Sequence, residues 1–512
     1  MKKFYNSYNL SHESFLKLSL KEDFIDNHIV QKFGQNEVTM LSGQTYPLDK
    51  ATGTVGEFLL IGDRIDEGNI SYKQISYPLI PDNISQIVLL SKLPYDLFVK
   101  FVIDQRIRGK DLISMCVANE KINEMCNYRN EELFRRLLKL DYDFQAEENI
   151  LRKKYIEFSK TRVWTFGRNN DGQLGLGDKE NRNIPTLIED FKDVKQISCG
   201  DKHTAFINDQ VWTFGDNLNG QLGLDDEKDR YVPTLIKNFR DIKQISCGGV
   251  HTAFIDYSGQ LWTFGDLKGY DKGVALGLGK YIILYNLKMP NLIKDFKDIK
   301  QISCGYNHTA FIDALGQVWT FGDNYYGQLG LWAKRYNIPN LIEGFKDIKQ
   351  ISCGYYHTAF IDALGQVWTF GSNRHGELGL GDIHDRRMPK LIKDFKDIKQ
   401  ISCGNNYTAF IDALGKIWTF GSNEHGQLGL GDRQQRNIPT LIKGFRDIEQ
   451  ISCGSNHTAF IDALGQVWTF GSNENGQLGL GDQEDRNIPT LIEGFKDIKQ
   501  ISCGNNYTAF VK

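Results

Sequence analysis

From residue 161 onward the chain alternates short apolar runs with polar, glycine-rich joints. Residues 466–483, "GQVWTFGSNENGQLGLGD", show the form. In "VWTFG" bulky or β-branched groups occupy successive positions, so the strand it predicts is covered on both faces. A half-solvated strand would alternate strictly between apolar and polar. Around it lie "DIKQISCG", a β-rich run ending in glycine, then "HTAFID", then the turn "ALGQ". After the glycine-rich joint comes a last apolar piece, "IPTLI". Each unit therefore predicts four short strands with glycine at the joints, which is one propeller blade.

The unit recurs in phase. "WTFG" begins at Trp164, Trp212, Trp262, Trp319, Trp368, Trp418 and Trp468, with spacings of 48, 50, 57, 49, 50 and 50 residues. The cysteine of "SCG" keeps step at Cys199, Cys247, Cys304, Cys353, Cys403, Cys453 and Cys503, and a proline keeps step from Pro185 to Pro489. A period near 50 without helical periodicity excludes the helix-pair solenoids. The repeat region opens at "TRVWTFG" and closes at "QISCGNNYTAFVK", each in the middle of a unit. The two halves are complementary. Strands near 499–512 are expected to pair with strands near 162–188, completing one blade, removing free sheet edges and closing the ring. The expected fold is mainly β: a seven-bladed β-propeller over 161–512, with a smaller N-terminal α+β region.

That N-terminal third reads differently. Residues 1–90 hold strand-like pieces, "GEFLLIGDRI" and "QISYPLIPDNISQIVLL", without a motif. Over 91–142 apolar residues recur at helical spacing (Leu97, Phe101; Leu112, Met115, Cys116; Leu133, Leu137, Leu140) and predict three short helices. Residues 143–160 read as a charged linker helix.

Composition narrows the function. Lys+Arg is 61 and Asp+Glu 64, a net charge of −3, which argues against a dedicated nucleic-acid binder. No apolar run reaches about 18 residues, so no membrane-spanning helix is expected, and the start is no convincing signal peptide. The expected setting is intracellular, in cytoplasm or nucleus. There the nine cysteines should be mostly reduced thiols. "GQLGLGD" lacks the lysine of a phosphate-cradling loop and the helix that would follow one. No cofactor, metal or catalytic constellation is expected.

The wording W-T-F-G-x-N-x-x-G-Q-L-G-L-G-D, then P-x-L-I, then Q-I-S-C-G-x-x-H-T-A-F, resembles the regulator-of-chromosome-condensation repeat over 161–512. The resemblance implies a seven-bladed propeller. Founding members of that family promote nucleotide exchange on a small nuclear GTPase, and many relatives only bind proteins or membranes. The order Leu93, Pro94, Leu97, Asp111, Leu112, Cys116, Asn119, Phe134 resembles an F-box, without the tryptophan many carry. This implies docking on a Skp-type adaptor of a cullin ubiquitin ligase through Leu93, Pro94, Leu97, Leu112 and Cys116; a small helical cap is the alternative. The lysine-, isoleucine- and asparagine-rich wording also resembles paralogues of giant DNA viruses, which would place the protein in a host cell.

Repeated residues read as architecture. His203, His251, His308, His357 and His457, with Tyr407 and Tyr507 in their place elsewhere, sit on separate blades and tie strand turns to neighbours. The repeat cysteines read as small thiols crowded at an axis. Asp–Arg pairs four apart, such as Asp482 and Arg486, read as turn-pinning ion pairs. Function is sought where copies differ. The third unit has seven extra residues between its Trp and Pro, 28 against 21, and carries Tyr281 and Tyr285. The fourth carries Tyr325, Tyr326 and Trp332, and the fifth Tyr355 and Tyr356. First and third turns of a meander face the same way, so these residues are expected to share one face. That face either anchors a partner or packs on the N-terminal region. The resulting expectation is a monomeric, non-enzymatic adaptor, holding a client protein on the propeller and a Skp-type adaptor on the F-box-like segment. The alternatives are an exchange factor for a small GTPase, or a structural scaffold.

Overall fold

The computed structural model describes residues 161–267, 273–279 and 287–512, and the backbone of a few short strands between 30 and 70. The chain divides into two compact units, Met1–Lys160 and Thr161–Lys512. In the first unit Val30–Phe33, Glu37–Met40 and Thr45–Pro47 form an antiparallel sheet, and Ile65–Asp66 pairs with Asn69–Ile70. The strand-like pieces 56–65 and 74–90 fall outside the described residues except for Ile65. The helices expected over 91–142, the linker 143–160, and Leu93, Pro94, Leu97, Leu112 and Cys116 lie wholly outside them.

The second unit is seven four-stranded antiparallel sheets. Blades are numbered here by the order of their "WTFG" strands. Blade 6 is typical: Gln400–Cys403, Tyr407–Ile411, Ile417–Gly421 and Arg436–Leu441 follow one another as a meander. Phe410 stands opposite Trp418, and Trp418 opposite Leu441. The absence of alternation is explained by burial. Every residue of Tyr407–Ile411 is buried, because neighbouring blades cover both faces of the sheet. Gly421 ends the third strand at φ 110°, and a Cβ there would stand 2.4 Å from the Tyr407 Cα, so only glycine fits.

One pattern of packing repeats between blades. In blade 7 the Trp468 ring meets Phe445 edge-on at 5.1 Å, and Phe460 meets Phe470 at 6.3 Å. The indole N–H of Trp468 donates to Asp462 at 3.0 Å. Burying such a ring contributes about 1.5–3 kcal/mol. Around the axis the inner strands are joined by glutamine amides. Gln350 Nε2 donates to the Ile401 carbonyl at 3.2 Å, and the Ile401 N–H donates back to Gln350 Oε1 at 2.9 Å.

The expected clasp is present. Blade 1 combines Gln500–Cys503 and Tyr507–Val511 with Val163–Gly167 and Arg182–Leu187. Phe510 faces Trp164, and Lys512 and Arg162 exchange backbone hydrogen bonds of 2.8 and 3.0 Å. Gln500 then bonds Ile197 of blade 2 as every other glutamine bonds its neighbour, so the ring is closed.

The repeated histidines are joints between blades. His203 Nε2 lies 2.7 Å from Thr252 Oγ1 in the next blade, and the other four pairs span 2.8–2.9 Å. The Thr252 hydroxyl already donates to the Gln221 carbonyl at 2.8 Å. The imidazole must therefore be the donor, which fixes the Nε2–H tautomer. Burial holds these imidazoles down to about 3, so they are neutral joints. Tyr407 uses its longer reach to donate to the His457 carbonyl at 2.5 Å. The seven repeat cysteines are free and buried at the axis, and burial pushes the Cys199 thiol up to about 12, far from a reactive thiolate.

Candidate functional site

The first turn of each blade follows "SCG", and the third follows "WTFG". The backbone joins them at one end of the blade: Asp323 N–H donates to the Asn307 carbonyl, and Ser372 N–H to that of Tyr356, each at 2.9 Å. Residues carried by these turns therefore share a face, as the meander argument requires.

Blades 4 and 5 place five tyrosines there. Tyr355 stacks on Tyr306 with centroids 4.2 Å apart, Tyr356 lies 5.0 Å from Tyr326, and Tyr325 meets Tyr326 at 5.1 Å. The Arg374 guanidinium sits 5.0 Å over the Tyr326 ring. Arg387 reaches back from blade 5 and donates to the Tyr325 and Trp332 carbonyls at 3.4 Å, holding the loop that presents Trp332. Trp332 is 74% exposed and Tyr325 60%. Of the expected aromatic residues, Tyr325, Tyr326, Tyr355 and Tyr356 are thus brought together, and Trp332 stands on the loop beside them. Tyr281 and Tyr285 lie outside the described residues. The insertion that carries them is anchored by a small cluster of Leu267, Leu276 and Leu287.

At the mouth of the axis the Tyr355 hydroxyl donates to Asp201 Oδ1 at 3.1 Å, linking blade 5 to blade 2. Asn505 Nδ2 of blade 1 donates to the same oxygen at 2.5 Å. Below lies a cavity of about 80 Å³ lined by the repeat cysteines and glycines. Burial raises the Asp201 carboxyl above the usual carboxylate range, and raises the Tyr355 hydroxyl strongly.

The face is also asymmetric in charge. The residue after "WTFG" is Asp216, Asp266 and Asp323 in blades 2–4 but Ser372, Ser422 and Ser472 in blades 5–7. Blade 5 adds Glu377 where blades 1, 2, 4, 6 and 7 carry glutamine and blade 3 carries Ala275; it accepts a 2.7 Å hydrogen bond from Ser372. Burial raises Asp216, Asp323 and Glu377 as it does Asp201. Blades 2–5 therefore carry the tyrosine cluster and these carboxyls, while blades 6 and 7 carry serine there and the exposed Glu424 and Glu474 on the adjoining turns.

Tyr306, Asp201, Asn505 and Glu377 went unread in the sequence. A signal existed. The residue after "SCG" runs Asp201, Gly249, Tyr306, Tyr355, Asn405, Ser455, Asn505, and so varies directly after a glycine that does not. The Asp–Arg pairs do pin the third turns: Arg486 holds Asp482, and four other pairs repeat the geometry.

Known proteins share this architecture. Prp20p of Saccharomyces cerevisiae, solved in a study of its binding to Gsp1p and histones, superposes with a TM-score of 0.63 at 20% identity, covering 69% of this chain and 91% of that one. Human WBSCR16 gives 0.61 at 20% identity, covering 69% and 98%. The X-linked retinitis pigmentosa GTPase regulator of Homo sapiens is 43% identical over 63 residues, 12% of this chain and 6% of that protein. The ultraviolet-B receptor UVR8 of Arabidopsis thaliana is 31% identical over 177 residues, 33% of this chain and 39% of the receptor. The matched stretches thus span well under two thirds of these relatives. The ring itself, residues 162–510, matches the model of the RCC1-like domain, and the chain belongs to that family.

Proposed function

We propose that the propeller binds a protein partner on its tyrosine-bearing face, and that this partner is a small GTPase whose nucleotide exchange it regulates. One observation carries the reading: five tyrosines and the carboxyls of Asp201, Asp323 and Glu377 share one end of blades 2–5. Exchange acts through binding and not through bond chemistry, so it needs an asymmetric surface of this kind. Support also comes from a relative described as a GTPase regulator and from Prp20p, studied for binding to Gsp1p. The test is nucleotide release from a panel of small GTPases with the full chain. Accelerated release that a Tyr326→Ala/Tyr356→Ala variant loses supports the reading. No acceleration on any member removes exchange and leaves binding alone.

A second reading keeps the same face for a client and assigns 91–142 to a Skp-type adaptor. It is favoured by the order of Leu93, Pro94, Leu112 and Cys116. The full chain should then retain such an adaptor, and Leu93→Ala with Pro94→Ala should release it.

A further inference from the structure

The opposite end of the axis has its own chemistry. Inner strands begin there with "KQ", and the position before the glutamine is Lys195, Lys243, Lys300, Lys349, Lys399, Glu449 and Lys499 around the ring. Five of these, Lys195, Lys243, Lys300, Lys349 and Lys499, line one cavity of about 610 Å³. That volume falls within the roughly 300–1,000 Å³ of small-molecule sites. No carboxylate lines it among the described residues. Lys195 is paired with Asp209 at 3.0 Å; the other four lysines have no ion pair among the described residues.

Among the carboxylates near this ring, Asp209 first and Asp241 after it raise the Lys195 ammonium, but no aspartate of the described residues lines the cavity. Asp298, for example, adopts φ 55° and packs its Cα where a Gly259 Cβ would stand, 2.5 Å away, in the turn of the preceding blade. The floor is firm, because its glutamine amides are already tied to neighbouring strands, as Gln196 is to Ile245. Several ammonium groups facing one small space repel one another, and the complement that relieves this is a compact anion with several charges. A single phosphate would meet one or two of them; a ring-sized molecule bearing many phosphates can meet all.

We propose that this lysine funnel is a binding site for a multiply phosphorylated small anion of the inositol polyphosphate type, either free or as a lipid headgroup. It lies at the far end from the tyrosines and is independent of the reading above.

The test is calorimetric titration of the full chain with inositol hexakisphosphate at several salt concentrations. Stoichiometric binding that weakens steeply with salt is expected. Lys300→Glu with Lys349→Glu should weaken it by about tenfold per site or more. Glu449→Lys, which completes the ring, should tighten it, and Tyr326→Ala should leave it unchanged. Inorganic phosphate should compete weakly. Vesicles containing phosphatidylinositol bisphosphate separate the two sources: capture indicates a headgroup, and no capture indicates a soluble ligand. These lysines are exposed, so the variants should melt like the parent. No binding at about 1 mM ligand, or equal affinity in a double variant that melts normally, overturns the proposal. So does an affinity unmoved by Glu449→Lys.

Discussion

Blades 4 and 5 and blades 6 and 7 are the same object with different tips. Phe360 faces Trp368 in blade 5, and Phe460 faces Trp468 in blade 7, in identical register. The first turns carry Tyr306 and Asn307 or Tyr355 and Tyr356 on one side, and Asn405 and Asn406 or Ser455 and Asn456 on the other. The strands cannot drift, because each is packed on both faces by its neighbours. The tips are free to change, because they touch solvent or one another. Sameness therefore reports packing in this chain, and difference reports use.

The largest effect should ignore the difference. Phe360→Ala and Phe460→Ala remove fully buried rings, and each should cost about 3–5 kcal/mol in denaturant unfolding. Unequal losses would mean that the two pairs of blades are not packed alike. The next effect should depend on it entirely. Tyr326→Ala with Tyr356→Ala should weaken partner binding by about 2 kcal/mol or more, roughly thirtyfold, with unfolding little changed. His425→Ala with Asn456→Ala, at the matching positions of blades 6 and 7, should do nothing to binding, and equal losses from both variants would end the assignment of the face.

A third test uses pH. Blades 4 and 5 carry His308 and His357 at the joint where blade 6 carries Tyr407. Burial holds both imidazoles down to about 3, against about 6.5 when unfolded. Below pH 6.5 the unfolded chain takes up protons that the folded chain refuses. Stability should therefore fall between pH 6.5 and 3, by up to ~1.4 kcal/mol per pH unit for each histidine. His357→Tyr, copying blade 6, should flatten that slope in melts measured across the range; an unaltered slope would show that the joint does not stay neutral. The smallest effect is at the third-turn ion pairs. Asp382→Asn in blade 5 and Asp482→Asn in blade 7 should each cost ~0–1 kcal/mol, since both carboxylates are more than a third exposed.

Much of this was legible because the repeat states it seven times. The blade, the clasp at Trp164 and Phe510, the histidine joints and the Asp482–Arg486 type of pair all follow from local wording plus the complementarity of the two ends. The shared face of Tyr326 and Tyr356 followed from meander topology. What escaped depends on the closed ring. Tyr355 meets Asp201, 154 residues away, only because curvature carries blades 5 and 2 to opposite sides of a narrow mouth. The lysine funnel escaped for the same reason: "DIKQ" looks like a solvated strand start until the copies converge on an axis.

The clasp also imposes an order in time. Trp164 is among the first residues of the ring to be made, and its partner Phe510 is nearly the last, about 350 residues later. At roughly 5–20 residues per second, synthesis leaves that outer hairpin waiting on the order of twenty seconds to a minute with one edge unpaired. Blades 2 to 7 can assemble as they emerge, but the circle locks only when the final strand leaves the ribosome. Until then the nascent chain offers an open sheet edge to whatever chaperone, or whatever neighbouring chain, reaches it first.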